Sequence, residues 1–286
     1  MDPMYAIGEI IQQMTEKAKS LQETVSLALV GSFSSETKTA VAINDLDFAF
    51  LVKRVTPPIL SKVHDIGADL CPRFSDAEIE TTFSMQCGPV RNWSEQKLSI
   101  LIHMLLYDIP RYNLASEIVT YSWQNFSRLL LGVPLEEIKK IDHLTFSHVI
   151  DSDFGIEDCS RMIEKREAIY YEWIPYGKNC KYLHRSRNVD GIEFLDLLCY
   201  SVLRSASNAT RATGKLVDQG IDMISEFEKT FSHLKTRTTP RRFFQCKKLI
   251  RTGKKRMCGT LSDDLQKDAL EFLSELKNSL ELHVRV

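Results

Sequence analysis

Residues 25 to 52 contain two apolar runs, VSLALVGSF and NDLDFAFLV, joined by a polar stretch, and the second run carries two aspartates one residue apart. Both runs are aliphatic or aromatic throughout and too short for helices of ordinary length, so they read as buried strands, the first ending in a Gly-Ser turn. In a strand, residues i and i+2 share a face, which puts Asp45 and Asp47 together and turns Leu46 and Phe48 toward a core. Two carboxylates a few ångströms apart repel by roughly 1 to 4 kcal/mol, depending on the local dielectric. A strand that keeps such a pair either leaves it half-exposed to water or holds something positive against it.

The flanks extend this pattern. Tyr5, Ile7, Ile10, Ile11, Met14, Ala18 and Leu21 recur at helical spacing among Gln, Glu and Lys, which predicts an amphipathic helix before the first strand. After Pro57 and Pro58, the spacing of Ile59, Leu60, Val63, Ile66, Gly67 and Leu70 predicts a second helix, stopped near Pro72. Ile79, Thr81, Phe83 and Met85 then alternate with Glu78, Glu80, Thr82 and Ser84, a strand with one apolar and one polar face. The first ninety residues read α-β-β-α-β. From Trp93 onward the texture predicts long helices over 98–106, 115–131, 160–172, 191–205, 212–234 and 263–282, with no internal repeat. The chain is therefore expected to be α+β, with a domain of residues 1–92, a helical domain of residues 93–286 and a boundary between Gly88 and Glu95.

Composition narrows the setting. With 286 residues and 43% hydrophobic content there is apolar material for two cores. Seven cysteines at 71, 87, 159, 180, 199, 246 and 258 form no C-x-x-C pair and no disulfide framework, which fits a reducing, cytoplasmic location. No segment approaches 18 uninterrupted apolar residues and the N-terminus lacks a signal-type apolar stretch, so no membrane association is expected. Thirty-seven Lys and Arg against 38 Asp and Glu leave a net charge of −1, which by itself points to neither nucleic acid nor membrane. The distribution is uneven: Lys235 to Arg256 holds ten basic residues and no acid, leaving about −11 on the other 264 residues.

Hard oxygen ligands suit Mg²⁺, which is held by one or two carboxylates while phosphates and water complete its octahedron. Asp45 and Asp47 supply two such groups, and Glu80 or Glu78 would add a third if the strands are neighbours. Two metal ions could then clamp the attacking and leaving oxygens of a phosphoryl or nucleotidyl transfer. Gly31 at a strand end allows close backbone approach, and Ser32 offers a hydroxyl and an amide to phosphate oxygens.

Val30, Gly31, Ser32, a short spacer, then Asp45, Leu46, Asp47 and Phe48 together resemble the hallmark of the nucleotidyltransferase superfamily of DNA polymerase beta. The "IETTF" around Glu80 resembles the strand that carries the third carboxylate in kanamycin nucleotidyltransferase and its relatives, and favours Glu80 over Glu78. A helical part following this order also resembles small bacterial and minimal nucleotidyltransferases. The likeness spans roughly Glu9 to Pro89 as organisation and about seven positions as motif; it departs at Ser34, Ser35 and Glu36, where many members carry a second glycine. It implies a mixed sheet with flanking helices and a C-terminal helical domain that binds the acceptor and closes the active-site cleft. It further implies Mg²⁺-dependent transfer of an NMP from an NTP such as ATP to an acceptor hydroxyl, with release of pyrophosphate. In this reading Asp45 and Asp47 hold two Mg²⁺ ions, Ser32 contacts the β and γ phosphates, and Glu80 is a metal ligand or general base. The alternative is a catalytically silent nucleotide-binding regulatory protein of the same fold.

The acceptor stays open between an RNA such as tRNA, bound through Lys235 to Arg256 with Phe243 and Phe244 as a stacking platform, and a small molecule such as an antibiotic. A second D-x-D, Asp151 and Asp153, lacks a Gly-Ser partner and reads as a cap or turn. The histidines show no ligand spacing and default to structural or surface roles, with His184, Arg185 and Arg187 a remote candidate for NTP contact.

Overall fold

A computed structural model describes residues 1–34, 40–41, 43–89, 97–218, 220–252 and 262–284. In chain order the elements are α1 (Pro3–Lys19), β1 (Thr24–Val30), a 3-10 turn (Gly31–Ser34), β2 (Ile43–Val52), α2 (Pro57–Ala68), a second 3-10 turn (Cys71–Arg73), β3 (Ile79–Ser84) and β4 (Leu98–Asp108). Then come α3 (Ile109–Asn113), α4 (Glu117–Asn125), β5 (Arg128–Gly132), α5 (Leu135–Ile138), α6 (Phe146–Asp151), α7 (Ile156–Lys165), β6 (Glu167–Tyr176) and β7 (Asn179–Asn188). Four helices follow: α8 (Gly191–Ala212), α9 (Ile221–Thr230), α10 (Thr239–Arg251) and α11 (Ser262–Val284). The chain is α+β, as expected.

Backbone packing divides it into two compact units, one of residues 1–115, 122–140 and 170–185, the other of residues 116–121, 141–169 and 186–286. The first unit continues past the expected boundary; residues 90–96, where most of that boundary was placed, lie outside the described residues.

The first unit is built on a five-stranded mixed sheet in the order β3-β4-β2-β1-β5. β2 and β3 both run parallel to β4, whereas β1 is antiparallel to β2 and to β5. Leu27, Leu29, Leu46, Phe48, Phe50, Ile100, Ile102 and Met104 on one face pack with Ala6, Ile10 and Met14 of α1 and Ile59 and Val63 of α2. The start of α1 follows from its sequence: the Asp2 side chain accepts from the Tyr5 amide at 2.9 Å, and Pro3 needs no amide partner in the first turn.

Three predicted helices are corrected. Residues 98–106 fall in β4, residues 128–131 of the predicted 115–131 helix fall in β5, and α7 ends at Lys165 so that 167–172 belong to β6. β4 is buried on both faces and flanked by parallel strands, so its LSILIHMLLYD run is almost continuously apolar and shows no period that separates strand from buried helix. At α7 the left-handed Arg166, φ 53°, stops the helix, and the aromatic run beyond it extends as strand. Residues 170–185 form most of a hairpin tied to the sheet unit by the Trp173 indole, which donates to the Leu106 carbonyl at 2.9 Å, and by a bridge between Cys87 and Tyr171.

The second unit is helical. α8 is its central element, buried along most of its length, and packs against α6, α7, α9, α10 and α11. Among the described residues no helix is long and apolar enough to cross a membrane.

Candidate functional site

β2 is the middle strand of the sheet, and its two faces are used differently. Leu46, Phe48 and Phe50 point into the core under α1 and α2, while Asp45 and Asp47 point to the opposite face beside Leu101 and His103 of β4. The two aspartates are 5% and 9% exposed, so neither is a solvated surface acid. Their burial raises the cost of the charge and of their mutual repulsion.

His103 compensates part of that charge. It is 2% exposed, its Nδ1 lies 2.7 Å from Oδ1 of Asp47, and its Nε2 donates to the backbone carbonyl oxygen of Gln86 at 2.6 Å. A carbonyl only accepts, so Nε2 carries a hydrogen, and a second proton is shared between Nδ1 and the carboxylate. The pair thus carries no net charge, and Asp47 is set in one orientation. The Gln86 carbonyl is itself placed by its neighbours: the Gln86 amide donates to Ser84 Oγ at 3.2 Å, and Cys87 exchanges amide hydrogen bonds of 2.8 and 2.9 Å with Tyr171.

The Gly-Ser turn meets the same carboxylate from the other side. Val30 pairs with Asp47 across β1 and β2, and Gly31 follows with φ +71°, a left-handed conformation that glycine adopts without strain. A Cβ at Gly31 would stand 2.4 Å from Oδ2 of Asp47. The glycine therefore serves the aspartate directly, besides leaving the backbone open. Ser32 is exposed in the turn that follows, and Ser34 Oγ donates to the Gly31 carbonyl at 2.8 Å, closing the turn.

The structure brings Gly31, Asp45 and Asp47 together, with Ser32 in the adjoining turn. Glu80 lies on the sheet-edge strand β3, two strands from β2, in register with Ser99 rather than with the residues opposite the aspartates. Its same-face neighbours Thr82 and Ser84 align with Leu101 and His103. Glu78 is exposed just before that strand. Among the described residues no group of three or more His, Cys, Asp or Glu is arranged to hold a metal ion. Sequence reading missed His103 because it assigned residues 98–106 to a helix, and Gln86 because it acts through its backbone carbonyl, which no side-chain pattern marks; strand periodicity would have put His103 on the aspartate face only once β2 and β4 were known to pair.

Several other candidate residues have partners within the protein. Phe243 is fully buried in α10, so it is a core residue and no stacking platform. Arg241 pairs with both carboxylate oxygens of Glu228, Arg242 pairs with Asp268, and Glu275 accepts from the amides of Lys235 and Thr236. Residues 253–256 of the basic run lie outside the described residues. Arg185 pairs with Glu172, and Arg187 with Glu193. Asp151 ends α6 and Asp153 lies in the turn after it, where its carbonyl accepts from Ser116 Oγ.

No protein-family model matches this chain, and no curated protein matches it. Among solved structures it is similar to the spectinomycin adenyltransferase AAD(9) from Enterococcus faecialis, crystallised with ATP and spectinomycin: TM-score 0.51, 12% identity, covering 96% of this chain and 99% of that one. At that identity the likeness shows the fold, a mixed sheet with flanking helices followed by helices, shared over nearly the whole length of both chains.

Proposed function

We propose that the protein transfers a nucleoside monophosphate from an NTP, ATP in the first instance, to the hydroxyl of a small-molecule acceptor, releasing pyrophosphate. One observation carries this reading: two buried aspartates side by side on the central strand, with the glycine turn Gly31–Ser34 packed directly on one of them. The spectinomycin adenyltransferase of similar fold, which was crystallised with ATP and an antibiotic, supports the class of reaction and of acceptor.

Asp45 and Asp47 fit Mg²⁺ as a donor set, being two hard carboxylates on one face of the central strand. Bound there, Mg²⁺ supplies charge neutralisation for the triphosphate. The Gly31 and Ser32 amides and the Ser32 hydroxyl orient phosphate oxygens. In the reaction the acceptor oxygen bonds to the α-phosphorus as the bond to the pyrophosphate oxygen breaks, pyrophosphate leaving with the electron pair. We assign Glu80 as the base that takes the hydroxyl proton, because it stands on the aspartate face of β3 but outside the aspartate pair. The test is transfer of label from α-³²P NTPs, with Mg²⁺, to candidate small molecules and to total RNA.

His103 is a positioning residue in this scheme. Removing the partner that orients a metal-binding group typically costs 10- to 100-fold in affinity or activity. His103→Ala should therefore lower transfer by about 10- to 100-fold. His103→Asn, whose amide nitrogen stands near the position of Nδ1 and donates to Asp47, should restore part of it. Equal losses in both variants, with matching losses of thermal stability, would reduce His103 to a packing residue.

The RNA alternative has its own check. Reversing Lys247, Lys248 and Arg251 to Glu should leave transfer to a small molecule within about twofold, since none of these positions belongs to the sheet unit. If instead RNA is the labelled acceptor and its binding loses salt dependence in that variant, the acceptor is a polyanion. A silent nucleotide-binding role is the second reading, favoured by the neutral His103–Asp47 pair and by the absence of a third carboxylate in register with the aspartates on β4. ATP binding without label on any acceptor would select it.

A further inference from the structure

A cavity of about 490 Å³ opens at the β3 edge of the sheet, lined by His64, Thr82, Phe83, Ser84, Met85, Gln86 and Leu101. Three of its lining residues adjoin residues of the site. Leu101 is the β4 neighbour of Asp45, Ser84 is in register with His103, and the Gln86 carbonyl is the acceptor for His103 Nε2. Its volume suits a small organic molecule or one ring system of a larger one.

The chemistry of the lining is specific. Two residues with hydroxyls, Thr82 and Ser84, and one with an amide, Gln86, line it together with three apolar ones, Phe83, Met85 and Leu101, and one imidazole. Thr82 Oγ1 is buried with no hydrogen-bond partner in the protein, a polar atom left for something else to satisfy. Among the described lining residues there is no carboxylate and no ammonium or guanidinium group. Of the two acids nearest in sequence, Asp65 faces His64 at 3.5 Å and is mostly exposed to water, and Glu80 precedes Thr82 on the same face of β3; neither lines the cavity. A polycation entering this space would lose its hydration without gaining a counter-charge in the wall, a costly exchange. An uncharged ring bearing hydroxyls would match neutral donors and acceptors on one side and apolar walls on the other.

We infer that this cavity receives the acceptor, and that the acceptor group it takes is an uncharged polyol, a sugar or cyclitol ring, rather than a polycation. The inference rests on the transfer reaction proposed above.

The experiment is methyl-detected NMR on the full chain, labelled at Met, Leu and Thr, with ATP and Mg²⁺ present. Myo-inositol, glucose and sucrose are the uncharged probes, spectinomycin and kanamycin the cationic ones. The uncharged probes should shift the Met85, Leu101 and Thr82 methyl signals with affinity at least about tenfold above that of the cationic ones. His64→Glu, which adds a carboxylate to the wall at an exposed position, should narrow or reverse that preference by about tenfold. Cationic probes that move these methyls more tightly than the uncharged ones, or no probe moving them, would overturn the inference. ATP binding and label transfer, read separately in the same samples, report on the proposed reaction itself, so that reading fails only if they fail.

Discussion

Replacing Asp45 or Asp47 by Asn should lower nucleotidyl transfer by about a thousandfold or more, the equivalent of about 4 kcal/mol of lost charge stabilisation at the phosphates. Asn keeps the shape of Asp and its amide nitrogen donates to Nδ1 of a neutral His103, whose Nε2 hydrogen stays on the Gln86 carbonyl, so the Asp47→Asn variant should fold with its melting temperature little changed. The loss should fall on the metal: both variants should need more Mg²⁺ for half-maximal rate, and ATP affinity measured with Mg²⁺ should weaken toward its metal-free value. Glu80→Gln should behave differently. A base acts on the hydroxyl proton and leaves the triphosphate alone, so this variant should lose kcat while keeping its KM for ATP and its Mg²⁺ requirement. If Glu80→Gln instead reproduces the Mg²⁺ defect, Glu80 belongs with the cation. Full activity in both Asp variants would remove the site altogether.

The contrast between these residues shows how far the sequence could be read. α1, β1, β2, α2 and β3 are legible because each is amphipathic or bounded: Asp2 and Pro3 start α1, Pro57 starts α2, and Glu80 alternates with Ile79 and Thr81. Asp45 and Asp47 are legible as a pair because a strand fixes their common face without reference to anything else in the chain. β4 is different. A strand covered on both faces by helices and hairpin has no polar side to give it a period, so His103 was hidden in a run indistinguishable from a buried helix. Strand order is a long-range property, and the parallel insertion of β4 between β2 and β3 is what separates Glu80 from the aspartates. The third carboxylate could be picked by its local context but not placed by it. In the second unit, the basic run was visible as charge, whereas the pairing of Arg241 with Glu228 and of Arg242 with Asp268 depends on helix packing that no local pattern encodes.

Gly31→Ala should disable the site through two separable costs. The first belongs to the backbone: an L-residue held at φ +71° costs about 1–2 kcal/mol relative to glycine. The second belongs to the aspartate: the new methyl, 2.4 Å from Asp47 Oδ2, must displace the carboxylate or the turn. His103 holds the other oxygen of that carboxylate at 2.7 Å and is itself fixed to Gln86, so Asp47 has little freedom to yield. A misplacement near 1 Å in such a site can cost about a hundredfold in rate, so transfer should fall by at least that factor while the melting temperature falls by about 4 to 8 °C. A double-mutant cycle separates the two costs. In an Asp47→Ala background the collision is gone and only the backbone cost remains, so the stability loss from Gly31→Ala should shrink, with a coupling energy of about 1–2 kcal/mol. Additive losses across the cycle would mean that the glycine answers to its backbone angle alone. A substantial coupling would mean that the glycine of the Gly-Ser pair and the second aspartate of the D-x-D are required together, because each occupies the space the other leaves.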